Sequence, residues 1–126
     1  MIGYVTLGSN DIEKAAAFYD ELLAEIGAGR LMENDRFIAW GTSPAAPMLC
    51  IIRPFDEQPA TVGNGVMVSL YMDSTDKVDS LHKKALALGS QDEGAPGPRG
   101  DGEFYGGYFR DMDGNKLCAF HFVQAD

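Results

Sequence analysis

An internal repeat constrains this chain more than any single motif does. The segment YVTLGSNDIEKAAAFYDELL, from Tyr4, reads as a strand followed by an amphipathic helix. MVSLYMDSTDKVDSLHKKAL, from Met67, repeats that order 63 residues later. Val5 falls on Val68, Thr6 on Ser69, Leu7 on Leu70 and Phe18 on Leu81. The closing hairpins correspond as well: AWGTSPAAPMLC, 39–50, lies on GYFRDMDGNKLC, 107–118, without a gap. That alignment sets Trp40 on Tyr108 and Cys50 on Cys118. Two similar halves are expected to pair about a pseudo-twofold axis, with a ligand cleft between them.

Each half reads as β-α-β-β-β. In the first, residues 2–8 form a strand by alternation, and Asn10 with Glu13 makes a capping box for a helix that stops at Gly27. Ile12, Ala15, Ala16, Tyr19, Leu23 and Ile26, with Phe18 and Leu22 beside them, give that helix one broad apolar stripe. Three strands follow, near 30–34, 36–41 and 47–53, with TSPAAP as the last turn. PFDEQPATVGNG links the halves. The second half has a strand at 66–72 and a helix at 75–88, with Val78, Leu81, Ala85 and Leu88 inward and Gly89 ending it. QDEGAPGPRGDGE is too rich in Gly and Pro for a regular element and reads as a long loop. A hairpin of 104–110 and 115–123 turns on DMDGN, where Gly114 and Asn115 tolerate left-handed angles. The expected class is α+β: two βαβββ modules, about 1–54 and 65–126 with a linker at 55–64, forming a cupped mixed sheet with the helices outside. The 126 residues suit a single domain.

Composition excludes several partners. A net charge of −9 leaves no basic face for nucleic acid. No apolar run approaches the roughly 18 residues of a membrane span, and no signal pattern opens the chain, so a cytoplasmic location is expected. In that reducing setting Cys50 and Cys118, which lack CxxC spacing, read as core residues rather than a disulfide.

GYVTLGSNDIEKAAAFYDELL, GVMVSLYM and YFRDMDGNKLCAF together resemble the vicinal oxygen chelate superfamily. That superfamily includes glyoxalase I, extradiol dioxygenases, fosfomycin-modifying enzymes and bleomycin-resistance proteins. The resemblance implies a homodimer and, in metal-using members, a divalent ion held by His, Gln and Glu from the first and last strands. Carried over residue by residue, those positions are Tyr4, Met67, Cys118 and Cys50. None is His, Gln, Asp or Glu, so no metal ligand set and no cofactor is expected. Cys50, Met67 and Cys118 leave a soft-metal site for Cu(I) or Zn as an alternative.

Strand parity assigns Tyr4, Thr6, Met67, Ser69 and Tyr71 to the cup face, opposite Val5, Leu7, Val68 and Leu70. If Arg110 pairs with Lys116, Tyr108 pairs with Cys118 and joins them, with Trp40 as its mirror. The expected ligand-binding set is therefore Tyr4, Thr6, Trp40, Cys50, Met67, Ser69, Tyr71, Tyr108 and Cys118, an aromatic-walled pocket for a small organic molecule. Elsewhere, His82 reads as a surface residue and His121 as facing away from Cys118. Arg53 and Arg99 are the cations best placed for an anionic ligand. Gly94, Gly97, Gly100 and Gly102 have no strand-to-helix context for phosphate, and Asp111 and Asp113 serve the turn. Three functions remain open. The first is a metal-free small-molecule binder of the bleomycin-resistance type. The second is a lyase, dioxygenase or transferase with an unusual metal or with metal-free acid/base chemistry from Tyr4, Tyr108 or Cys118. The third is a non-catalytic structural dimer.

Overall fold

A computed structural model describes residues 1–123. The chain forms two compact units, one spanning Met1–Gly63 and the other beginning at Asn64. The first unit runs β1 (Tyr4–Gly8), α1 (Ile12–Ala24), β2 (Gly29–Glu33), β3 (Phe37–Gly41) and β4 (Met48–Ile52). The second runs β5 (Val68–Tyr71), α2 (Thr75–Ala87), β6 (Gln91–Arg99), β7 (Phe104–Arg110) and β8 (Lys116–Phe122). Each unit holds one four-stranded mixed sheet, ordered β1-β4-β3-β2 and β5-β8-β7-β6. The first strand of each lies parallel to the last, and the remaining pairs are antiparallel. The α+β plan of two βαβββ modules is therefore the architecture.

One helix covers one face of each sheet. Helix α1 buries Ile12, Ala15, Ala16, Phe18, Tyr19, Leu22 and Leu23, the stripe that 3.6-residue periodicity requires. It packs over β3 and β4, whose Ile38, Trp40, Leu49 and Ile51 are all buried. Its cap is Asp11, which accepts from the Lys14 backbone N–H at 3.1 Å. Asn10, the expected cap, serves elsewhere, since its side chain exchanges two hydrogen bonds with the Ala60 backbone, at 2.7 and 3.1 Å. Residues 54–60 are thereby fastened over the end of β1. A Cβ at Gly8 would meet the Ala60 Cβ at 2.9 Å, so glycine is needed there for the approach.

In the second unit α2 begins at Ser74, whose hydroxyl accepts from Lys77 N at 3.2 Å. It buries Val78, Leu81, His82 and Ala85. The expected surface position of His82 is corrected: the residue is 4% exposed, and its Nε2 lies 3.2 Å from both Asp92 Oδ1 and the Tyr108 carbonyl. A histidine in the inward stripe escapes desolvation cost only through such partners. Residues 91–99, expected as loop, form β6 instead. It is an edge strand, where Pro96 and Pro98 withhold N–H groups that no neighbour needs, and register shifts at Gly94 and Gly97 absorb the irregularity.

The DMDGN turn is built around Asp111. Its buried carboxylate accepts from the N–H groups of Asp113 and Asn115, both at 2.9 Å, and from the Asn115 side chain at 3.0 Å. Asp111→Ala leaves those donors without that acceptor inside the turn. We expect about 3 kcal/mol of destabilisation, read as a lower urea midpoint with unchanged slope.

Candidate functional site

The face of each sheet away from its helix carries the nominated residues, because side chains alternate along a strand. In the first unit Tyr4, Thr6 and Gly8 pair with Met48, Cys50 and Ile52 on that face. Tyr4 and Thr6 are exposed and Cys50 is buried. Trp40 does not join them. Its strand partner is Leu49, while Ala39 pairs with Cys50. The indole turns under α1, donates to Asp20 at 2.9 Å and packs 5.6 Å from the Tyr19 ring. The expectation that Trp40 mirrors Tyr108 is thus corrected: the β3–β4 and β7–β8 hairpins pair in registers that differ by one residue, which puts the side chain on the other face.

In the second unit the expected register holds. Arg110 pairs with Lys116 and Tyr108 with Cys118, and Cys118 pairs with Ser69 across the parallel ladder. Ser69, Cys118 and Tyr108 therefore form one row; the thiol donates to the Ala119 carbonyl at 3.6 Å, with the Ser69 and Tyr108 hydroxyls beside it. Burial pushes the Cys118 thiol up, against a lowering by those two hydroxyls, Arg99 and Lys116. Burial likewise pushes the Tyr108 phenol up, with the neighbouring Cys118 adding to the rise. Cys50 is raised by burial alone. Met67 stands exposed just before β5. His121 turns away from Cys118, with its Nδ1 2.8 Å from the Met72 carbonyl.

The next two rows on the same face are aromatic. Tyr71 pairs with Phe120, and Phe104 with Phe122. Phe104 stacks on Phe120 with centroids 5.5 Å apart and planes within 8°, and Tyr71 meets Phe120 edge-on at 5.8 Å. Gly106 admits this packing, since a Cβ there would lie 2.6 Å from the Phe104 ring. Phe104 and Phe120 were not nominated from the sequence. Their signal was available: Phe120 shares the parity of Cys118, and the Tyr108–Cys118 register carries Phe104 opposite Phe122.

Arg53 lies elsewhere, lining two open hollows of the first unit, of about 630 and 710 Å³. Neither includes a nominated tyrosine, serine or cysteine.

A divalent metal does not fit the residues present. At the four positions carried over by resemblance stand an exposed phenol, an exposed thioether and two buried thiols whose protons burial retains. Among the described residues no three His, Cys, Asp or Glu side chains gather where an ion could be held. Mg, Mn and Ca require oxygen-rich shells, and open Zn, Ni or Fe sites use imidazole and carboxylate. No helix among the described residues is long and apolar enough to cross a membrane.

Comparison with known proteins agrees with the two-module plan. Residues 1–119 match the model of the Glyoxalase/Bleomycin resistance protein/Dioxygenase superfamily. A glyoxalase/bleomycin resistance protein from Albidiferax ferrireducens T118 is 37% identical with a TM-score of 0.88, over 98% of this chain and 99% of that one. A glyoxalase-related enzyme from Fulvimarina pelagi, at 21% identity, shares the fold with a TM-score of 0.76 over 96% and 87% of the two chains. A lactoylglutathione lyase from Agrobacterium tumefaciens, also 21% identical, does so at 0.71 over 96% and 92%. No curated protein matches the chain. On the family match across both modules, the chain belongs to the glyoxalase/bleomycin resistance/dioxygenase superfamily.

Proposed function

We propose that this protein binds a small organic molecule against the helix-free face of its second sheet, without the divalent ion used by metal-dependent members of its superfamily. The observation that carries the reading is the adjacency of a polar row and two aromatic rows on one face. Ser69 and Tyr108 offer hydroxyls over the buried Cys118 thiol, and Tyr71, Phe120 and Phe104 offer ring surface beside them. A few polar groups set among aromatics orient a planar ligand while its surface is desolvated. Tyr71 is 61% exposed and Phe122 55%, so this apolar area faces outward.

Catalysis by Cys118 or Tyr108 as nucleophile or base runs against the chemistry of the row. Either role needs a lowered pKa, and burial raises both. Binding requires neither deprotonation. The homodimer implied by family resemblance forms part of the same proposal. Elemental analysis of the native protein, paired with native mass spectrometry, tests it. The expected result is a dimer mass with Zn, Ni, Mn, Fe and Cu each far below one per chain. One bound metal ion per chain refutes the metal-free reading, and a monomer mass refutes the dimer.

A further inference from the structure

The face assigned to the ligand carries cations in a chain that is acidic overall. The protein carries 19 acidic and 10 basic side chains. Yet the Tyr108 ring is flanked by two cations: the Arg99 Cζ and the Lys116 Nζ each lie 5.5 Å from its centroid. Arg30, Lys77 and Arg110 are paired with carboxylates. Arg99 and Lys116 form no ion pair among the described residues.

Arg99 is nonetheless held in place. Its Nη2 donates to the Ala95 carbonyl at 2.7 Å and its Nη1 to the Pro98 carbonyl at 3.2 Å. Carbonyls orient a guanidinium without neutralising it, and they leave further N–H donors free. Two glycines of β6 make the room. A Cβ at Gly94 would lie 3.4 Å from Nη2 and 3.2 Å from the Tyr108 ring, and one at Gly97 3.2 Å from Nη1. The guanidinium therefore lies back along the edge strand to reach the ring of Tyr108.

Building on the small-molecule reading, we infer that the ligand is a planar aromatic carboxylate, its ring against Tyr71, Phe120 and Phe104 and its anionic group beside Tyr108 within reach of Arg99 and Lys116. A carboxylate matches the planar donor fork of arginine, and charge-assisted bonds of this kind exceed neutral ones in strength. The acidic remainder of the chain does not overturn this preference. At physiological salt, charges beyond about 8 Å are largely screened, whereas a contact pair is not.

Naphthoate, naphthamide and naphthylmethylammonium, titrated into the whole protein by calorimetry, share one ring system and differ in charge. Naphthoate is expected to bind at least ~10-fold more tightly than naphthamide, the worth of one charge-assisted hydrogen bond, with the ammonium weakest. In R99Q and in K116Q the naphthoate-over-naphthamide ratio is expected to shrink at least ~3-fold, and in the double variant to vanish. Equal binding of naphthoate and naphthamide by the native protein, or a ratio that survives the double substitution, overturns the carboxylate assignment and leaves the small-molecule reading standing. Failure of all three probes to bind the native protein sinks both.

Discussion

Replacing Trp40 with alanine is expected to cost about 3–5 kcal/mol of stability, the range for truncating a buried large aromatic. Trp40 is 1% exposed and sits between the β3–β4 face and α1, 5.6 Å from the fully buried Tyr19 ring. Its removal opens a void beneath a helix whose inward stripe is otherwise closely covered. It also strips one donor from Asp20, although that carboxylate keeps two bonds from Arg30, at 2.9 and 2.7 Å. Those contacts explain why Asp20 is held below the usual carboxylate range, mainly by the Arg30 hydrogen bonds, with Trp40 contributing less. Trp40→Phe separates the two losses. It keeps most of the ring packing and loses the indole N–H, for an expected cost nearer ~1 kcal/mol plus a modest volume term. Chemical denaturation measures both variants. A Trp40→Ala protein within ~1 kcal/mol of the parent contradicts the placement of the indole in the core.

The same residue shows what could be read without coordinates and what could not. The two-module order, both helices and the register of the last hairpin all follow from periodicity and turn chemistry, and the structure has each of them. The gapless alignment of the two hairpins, by contrast, was sound residue by residue and misleading in space. Cys50 pairs with Ala39 while Cys118 pairs with Tyr108, and that one-residue difference in register moves Trp40 from one side of a sheet to the other. Strand β6 was hidden for a different reason. Its glycines and prolines argue against a central strand, and no local signal announces that a segment will lie at an edge. His82 was legible in principle. It lies four residues after Val78 on the helix, within the inward stripe, and the adjacent Lys83 and Lys84 obscured this. The placement of Tyr71, Ser69, Tyr108 and Cys118 on one sheet face followed from parity together with the Arg110–Lys116 register. The cation pair did not, because Arg99 reaches Tyr108 only by folding back over two glycines of its own strand.

Both thiols are expected to resist modification in the folded protein. Cys118 is fully buried and Cys50 is 4% exposed, and burial raises each above the ordinary thiol value of 9.0. A thiol disulfide reagent attacks only thiolate it can reach, so at neutral pH both the charge state and the access are unfavourable. Reaction then waits on local opening, and we expect native rates at least ~100-fold below those in guanidinium chloride. The same shifts fix a pH dependence. A thiol with a raised folded pKa keeps a proton that the unfolded chain has already lost. Its contribution is present in full below the unfolded value and disappears as pH climbs through the folded one. Stability should therefore decline in the alkaline range above about pH 9, and Cys118→Ser and Cys50→Ser should each soften that decline. Rapid labelling of one thiol in the native protein at neutral pH, lost in Cys118→Ser, would identify Cys118 as an accessible thiolate. That outcome would replace a binding row with a nucleophile and return the enzymatic reading to first place.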